Sequence, residues 1–219
     1  MSATTSGPRA AGLARFTAAE RAVHWLVAAL LTACIVTAAI LYNGSLGLLV
    51  GHRHAVVLVH VWSGWALPVP MVLGAVSAAY RTDLRRLSRF TPSDWRWLRS
   101  RTRRDGTIRV GKFNAGQKLN ACLSAGGTLV LLGTGTLMYV TGLVRLSWRS
   151  GATFVHDWTA LALGLLVIGH VVYALRDGEA LRGMRSGRVS AGWARSEHAA
   201  WADEIRASGE DPPPGPSAP

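Results

Sequence analysis

Four long apolar segments dominate this chain and restrict the folds that it can adopt. They cover residues 22–42, 55–80, 119–143 and 152–175 and are rich in Leu, Val, Ala and Gly. About 20 apolar residues suffice for a helix to cross the hydrocarbon core of a bilayer. Inside lipid only helices and closed barrels satisfy the backbone, and these segments are too long for buried strands. The sequence therefore predicts an all-α integral membrane bundle of four helices.

Basic residues are distributed unevenly around these four spans. The chain carries 24 Lys and Arg against 12 Asp and Glu, a formal net charge of +12. Only Arg53, Arg145 and Arg149 follow the first or third span, whereas the other 21 lie in the remaining segments outside the spans. Because positive residues are retained in the cytoplasm, we predict that both termini and the central loop are cytoplasmic. The charge then reflects topology and contact with anionic membrane lipid, and we expect no nucleic-acid binding.

The rest of the chain divides into one membrane domain and two flanks. Residues 1–15 mix Ser, Thr, Gly, Pro and Ala, and we expect a disordered cytoplasmic N-terminus. Residues 16–185 form the predicted membrane domain, in which Thr17 and Glu20 have the spacing of a capping box. Pro68 and Pro70 predict a kink in span two. The tail, residues 186–219, ends in a proline-rich run and is expected to be largely disordered.

Four histidines lie within the apolar spans, where an ionisable side chain is costly and usually functional. They are His24, His60, His156 and His170. His24 lies three residues after Arg21 and His170 lies six residues before Arg176, so both are placed near the cytoplasmic face. His60 and His156 each lie seven residues beyond an arginine of an outer loop. The histidines are thus predicted at two matched depths.

The spacing within span four limits how these histidines can pair. His156 and His170 are 14 residues apart, which corresponds to about 21 Å along a helix, and they return to nearly the same face. They cannot share one metal, so depth pairs His60 with His156 outside and His24 with His170 inside. Two histidines without a nearby carboxylate or thiolate suit haem iron better than zinc, because the porphyrin supplies four further ligands. We therefore predict four axial ligands of two haems.

Other residues near or outside the spans have weaker expectations. Five glycines either give a haem room beside the helices or allow the helices to pack closely. They are Gly64, Gly127, Gly133, Gly135 and Gly169. Cys34 and Cys122 have no metal-binding or redox spacing and are expected to be packing residues. The remaining histidines, His52, His54 and His198, are expected on the solvated surface.

From Arg15 to about Met184 the chain resembles the cytochrome b (gamma) subunit of membrane-bound formate dehydrogenases, within the wider di-haem cytochrome b family. The resemblance is carried by Arg21-x-x-His24-Trp25, the histidine of span two, and the 14-residue spacing in span four. Its most specific element is the run Gly-Lys-Phe-Asn-Ala-Gly-Gln-Lys at residues 111–118. Hydrogenase and thiosulfate-reductase cytochromes share the histidine plan but are less similar in that run.

The resemblance implies a cytochrome of a bacterial inner membrane that holds two b-type haems. Electrons would arrive from an iron–sulfur subunit on the outer side, itself served by a catalytic subunit that contains molybdenum or tungsten. Menaquinone would be reduced beside the inner haem, near Asn114, Gly116 and Gln117, with His170 as the closest ligand. The chain has no molybdenum or iron–sulfur motif, so it is not expected to oxidise formate by itself.

Alternative interpretations remain open from the residues themselves. The polar run at 111–118 enters span three at the depth of His24 and His170, yet the same pattern also suits an ordinary helix start. The histidines could instead form the relay of a proton-coupled transporter. Such a transporter usually has inverted repeats and paired broken helices, which this sequence does not show. A haem-free membrane anchor would not require histidines at matched depths.

Overall fold

The computed structural model describes residues 12–102 and 107–209, and most of them are helical. The elements are β1 (Leu13–Ala14), α1 (Ala18–Tyr42), α2 (Gly44–Val50), α3 (Arg53–Ala66), α4 (Pro68–Gly74), α5 (Ala78–Ser88), α6 (Pro92–Arg99), α7 (Ala115–Tyr139), α8 (Leu146–Arg176), α9 (Gly178–Ser186), β2 (Arg188–Val189), α10 (Ala191–Glu197) and α11 (Ala199–Ala207). The expected disorder of residues 1–15 is wrong for Leu13–Ala14, which form β1. Residues 1–11 and the proline-rich end at 210–219 lie outside the described part.

Four segments are long and apolar enough to cross a membrane: α1, α3 together with α4, α7 and α8. Few of their side chains are buried within the protein, as lipid-facing helices require. The prediction of an all-α membrane bundle is therefore confirmed. Span two is shorter than predicted because it ends at Gly74, after which the Ser77 side chain caps α5. Span four is longer than predicted because α8 already begins at Leu146.

Span two breaks where the sequence places its prolines. The α3 helix ends at Ala66, Leu67 forms the junction, and Pro68 is the first residue of α4. A proline is tolerated at the first helical position, where its missing N–H would have had no helical partner. The Leu67 N–H still donates to the Gly64 carbonyl, at 3.2 Å. The predicted interruption of this span is therefore confirmed.

The four spans are arranged as two helical hairpins. The most extensive helix contacts join α1 to α3 and α7 to α8. Between the hairpins, the Trp65 Nε1–H donates to the Thr136 hydroxyl at 3.1 Å, and the Trp65 ring meets Tyr139 edge to face at 5.1 Å. These contacts connect α3 with α7.

Both flanks of the chain fold together at one end of the bundle. Strands β1 and β2 pair antiparallel, with Leu13 opposite Val189. A small apolar cluster surrounds this pair and consists of Leu13, Val189, Ala194, Trp201 and Ala202. The tail also contacts the central loop, because the Ala200 N–H donates to the Val110 carbonyl at 3.0 Å. The expectation of a largely disordered tail is thus wrong for residues 188–207, where few but large apolar residues bury themselves against β1.

His198 belongs to this folded flank and is not the surface residue that the sequence suggested. It is only 2% exposed. Its Nδ1 lies 2.7 Å from the Gly111 carbonyl, so Nδ1–H donates, and its Nε2 then accepts from the Arg15 guanidinium at 3.2 Å. That guanidinium lies over the rings of Trp193 and Trp201, 4.7 and 5.3 Å from their centroids. Burial lowers the pKa of Arg15 to about 10.

We predict that the end of the bundle that carries both flanks is cytoplasmic. In single-cysteine variants, Ser208→Cys should resist an impermeant thiol reagent in intact cells and react after permeabilisation. The matched variant Ser45→Cys lies in α2 at the opposite end, where its position is exposed. It should react in intact cells. Labelling of Ser208→Cys from outside would contradict the topology.

Candidate functional site

The structure brings the four span histidines together in the two pairs that the depth argument predicts. The rings of His24 in α1 and His170 in α8 have centroids 6.3 Å apart, with an interplanar angle of 55°. The ring centroids of His60 in α3 and His156 in α8 are also 6.3 Å apart, with an interplanar angle of 63°. Each pair joins one helix of the first hairpin to α8 of the second. The two pairs are therefore separated along α8 by about 21 Å.

The spacing within each pair fits two imidazoles on opposite sides of one metal. With metal–nitrogen bonds of about 2 Å, the centroids of two such rings lie roughly 6 Å apart. Among the described residues, no group of three or more His, Cys, Asp or Glu could hold a metal ion. Each pair would therefore provide two histidine ligands and leave the remaining positions to a macrocycle, a ligand set that suits haem iron.

In the outer pair, hydrogen bonds orient His60. Its Nδ1 lies 2.9 Å from the Thr37 hydroxyl and 3.2 Å from the Cys34 carbonyl. The Thr37 hydroxyl donates its proton to the Ala33 carbonyl at 2.6 Å. Since neither partner has another proton to give, Nδ1–H of His60 is the donor. The lone pair is then on Nε2, where a metal can bind it.

His156 is held in the same way from the second hairpin. Its Nδ1 lies 3.0 Å from the Thr134 hydroxyl, which donates to the Val130 carbonyl at 2.7 Å. Gly135 provides room for this ring, because a Cβ there would lie 3.2 Å from His156 Cε1. The sequence analysis missed Thr37 and Thr134. The sequence did contain a signal for them. Each lies in the span next to its histidine and at a similar depth, Thr37 for His60 and Thr134 for His156.

The inner pair has a different environment. Nδ1 of His24 is buried, and none of the described residues hydrogen-bonds to it. The Trp25 ring meets His24 edge to face at 5.1 Å, and its Nε1–H donates to the Met184 carbonyl at 3.2 Å. His170 is exposed on the surface of α8. The inner histidines are thus positioned by ring packing and less by hydrogen bonds than the outer histidines.

The glycines near the histidines fall into two groups. A Cβ at Gly127 or Gly135 would contact α8, so these two permit close packing of α7 against α8. At Gly64, Gly133 and Gly169 a Cβ would meet none of the described atoms within 4 Å. Helix packing therefore explains only the first group. The second group leaves the helix backbone accessible to a flat ring.

The three residues of the predicted quinone site lie at the start of α7. The Asn114 side-chain oxygen accepts from the Gln117 N–H at 2.9 Å, and the Gln117 oxygen accepts from the Asn114 N–H at 3.0 Å. They form a capping box. Gly116 packs beneath Trp97, since a Cβ there would lie 3.1 Å from that ring. The box uses only the amide oxygens, so the two NH₂ groups are the part of these side chains that a quinone would engage.

Two buried lysines in the same run were not singled out from the sequence. Lys118 Nζ lies 2.7 Å from Asp94, and Lys112 Nζ lies 2.5 Å from Asp83 and 3.7 Å from Glu20. Buried charges are tolerated when they are paired in this way. The ion pairs join residues 111–118 to α1, α5 and α6, at the end of the bundle where His24 and His170 lie.

An apolar four-helix bundle with histidines paired across its interior has the architecture of a membrane cytochrome b. Residues 15–187 match the family described as prokaryotic cytochrome b561. This match covers most of the chain and includes all four paired histidines. No curated protein matches the chain significantly. The chain belongs to the prokaryotic cytochrome b561 family, and it is a membrane electron-transfer protein of a family that binds haem b.

We predict that Thr37 contributes to haem retention through His60. Thr37→Val removes the nearer of the two acceptors for Nδ1–H, and loss of such a partner typically weakens metal binding about 10–100-fold. The measurement is haem loss from the purified holoprotein to an excess of a haem-scavenging protein. Thr153→Val is the matched control, because its hydroxyl also bonds to its own helix, at the Arg149 carbonyl. Equal haem loss from both variants would show that Thr37 has no orienting role.

Proposed function

We propose that this cytochrome is the membrane electron-transfer subunit of a respiratory complex of the formate dehydrogenase type. Electrons enter from an iron–sulfur subunit on the outer side, pass two b-type haems and reduce menaquinone near the cytoplasmic face. The observation that carries the proposal is the pairing of four histidines at two levels of one bundle. When bound, each haem supplies a one-electron redox centre.

The protein residues have separate tasks in this proposal. His60 and His156 would hold the outer haem, and the hydroxyls of Thr37 and Thr134 accept from Nδ1–H and so leave Nε2 of each histidine unprotonated. His24 and His170 would hold the inner haem, toward the end at which both chain flanks meet. The apolar surfaces of the spans keep water away from both sites. The fixed length of α8 between its two histidines separates the two centres.

The polar run at residues 111–118 favours quinone reduction at the inner centre. The ring centroid of Phe113 lies 6.2 Å from that of Phe16, which comes just before α1. Lys112 Nζ lies 3.7 Å from Glu20 Oε1, one helical turn before His24. The run therefore starts α7 at the level of the inner pair. A quinone headgroup needs donors to its two carbonyl oxygens, and the NH₂ groups of Asn114 and Gln117 are suited to this task.

The partners in this proposal are an iron–sulfur subunit and a catalytic subunit with molybdenum or tungsten. The outer end of the bundle, where the iron–sulfur subunit would dock, has only short connections. They include α2, which exposes Leu48 and Leu49, and the arginines Arg53 and Arg145. The same bundle would also serve a hydrogenase or a thiosulfate reductase, which share the histidine plan. Copurification of the donor subunits from native membranes distinguishes these complexes.

The haem content tests the proposal most directly. A reduced-minus-oxidised spectrum of the purified chain should show two b-type haems per polypeptide. A histidine-relay transporter or a haem-free anchor would show none.

We predict that the histidine pairs can be removed one haem at a time. His60→Ala or His156→Ala should remove the outer haem and retain the inner one, whereas His24→Ala or His170→Ala should do the reverse. Haem stoichiometry and the midpoint potential of the remaining centre identify which haem is lost. Loss of the same haem from His24→Ala and His156→Ala would contradict the pairing.

We also predict that the amide groups of Asn114 and Gln117 donate to quinone independently of their capping role. Asn114→Ser and Gln117→Glu retain a capping oxygen but lose the NH₂ donor. Loss of one such donor costs about 1–3 kcal/mol, so quinol-analogue binding should weaken roughly ten- to hundred-fold. Both haem spectra should remain unchanged.

Asn114→Ala separates the two roles, because it removes the cap as well as the donor. If quinone-dependent reoxidation is slowed equally in Asn114→Ser and Asn114→Ala, the donor is responsible. If Asn114→Ser and Gln117→Glu reoxidise at the parental rate across quinone concentrations, the run is only a helix start and quinone binds elsewhere.

A further inference from the structure

A buried group of two carboxylates and one ammonium lies next to the inner histidine pair. It consists of Glu20, Asp83 and Lys112, whose side chains are 7%, 9% and 10% exposed. Three separate parts of the chain contribute to it: α1, α5 and the loop before α7. If both carboxylates were ionised, two buried negative charges would share the one ammonium that contacts them. Like charges in contact disfavour double ionisation.

The contacts of Glu20 show where a proton fits. Its Oε2 accepts from the N–H and the hydroxyl of Thr17, at 2.6 and 2.8 Å. Its Oε1 is buried, and no N–H or hydroxyl of the described residues donates to it. The Asp83 carboxyl contacts the same Lys112 ammonium as this oxygen does. Two carboxyl groups form a hydrogen bond only when one of them is protonated.

The surrounding charges leave this proton in place. Lys112 contacts both carboxylates, and the buried Arg15 guanidinium acts on Asp83 from the folded flank. The Asp177 carboxylate also interacts with the Arg15 guanidinium. Burial and the Glu20 carboxyl raise the pKa of Asp83 to about 7, although Lys112 opposes the shift. The proton is therefore bound below this pH and is lost as the pH rises through it.

The neighbouring ion pair of Asp94 and Lys118 provides an internal comparison. Asp94 is as buried as Asp83, at 6% exposed, and it also meets a buried lysine. However, Asp94 is the only carboxylate at its lysine among the described ion pairs. Burial raises its pKa, but hydrogen bonds from Lys118 and Thr91 outweigh burial, so the pKa is lowered overall. The second carboxylate thus distinguishes the Asp83 site.

We propose that the Glu20–Asp83 carboxyl pair shares one exchangeable proton and delivers protons for quinone reduction. Glu20 lies four residues before His24, about 6 Å along α1 and on nearly the same helix face. The inference rests on the proposed function. Reduction of one quinone to a quinol takes two electrons from the donor subunit and two protons. For each proton, an O–H bond of the pair breaks, an O–H bond of the quinol forms, and the pair is reprotonated from the aqueous side.

Infrared spectroscopy of the holoprotein tests the shared proton without relying on turnover. The parent should show a carboxylic-acid carbonyl band that disappears as the pH rises through about 7. Asp83→Asn and Glu20→Gln should both lack the band, because the remaining carboxyl ionises beside Lys112. Both retain the shape of the side chain, and Glu20→Gln retains an oxygen for capping. Asp94→Asn is the matched control and should keep the band.

Quinone-dependent reoxidation of the pre-reduced protein tests the delivery of protons. Removing a positioned proton donor should slow it about 100-fold or more in Asp83→Asn, whereas Asp94→Asn should react at the parental rate. The proposal is overturned if the parent lacks the titrating band, or if the band persists in both Asp83→Asn and Glu20→Gln. Parental reoxidation rates in both of these variants would also overturn it, while two intact haem spectra would leave the proposed function standing. Absence of haem from the parent would instead overturn the proposed function.

Discussion

The two histidine pairs are the contacts on which the arrangement of this bundle depends. Within each hairpin the helices pack side by side, whereas the paired imidazoles face one another between the hairpins. Lipid tails are as apolar as leucine, so helices in a membrane associate through packing and polar contacts and not through the hydrophobic effect. A metal centre held by one imidazole from each hairpin would supply a strong connection between them. The site and the tertiary structure are therefore coupled.

The end of the bundle that carries both chain flanks sets the levels of these histidines. Three capping boxes fix helix starts there: Thr17 with Glu20, Thr91 with Asp94, and Asn114 with Gln117. Glu20 and Asp94 also contact buried lysines, so each cap is joined to a neighbouring segment. Because α1 begins at a fixed residue, His24 lies almost two turns inside the helix, as its seventh residue. Polar contacts at the membrane boundary thereby position residues in the apolar interior.

The sequence predicted what depends on periodicity and depth, and it missed what depends on tertiary contact. Four spans, the break at Pro68 and the partner of each histidine follow from hydropathy and residue counting. The roles of Thr37 and Thr134 were missed, because depth alone does not show which residue of a neighbouring helix faces a histidine. The fold of the tail was also missed, since Val189 pairs with a strand about 180 residues earlier and Trp201 packs in the same cluster. The lysine pairs likewise depend on carboxylates from other helices.

The continuous α8 helix fixes the distance between the two histidine pairs. One helix carries a histidine of each pair, so the vertical distance and the angular offset between the levels are set by the number of residues between His156 and His170. A single inserted or deleted residue would turn one histidine by about 100° relative to the other and away from its partner. Substitutions that keep the segment helical and apolar leave this geometry intact. Among related chains, this stretch should therefore vary in composition within those limits but be constant in length.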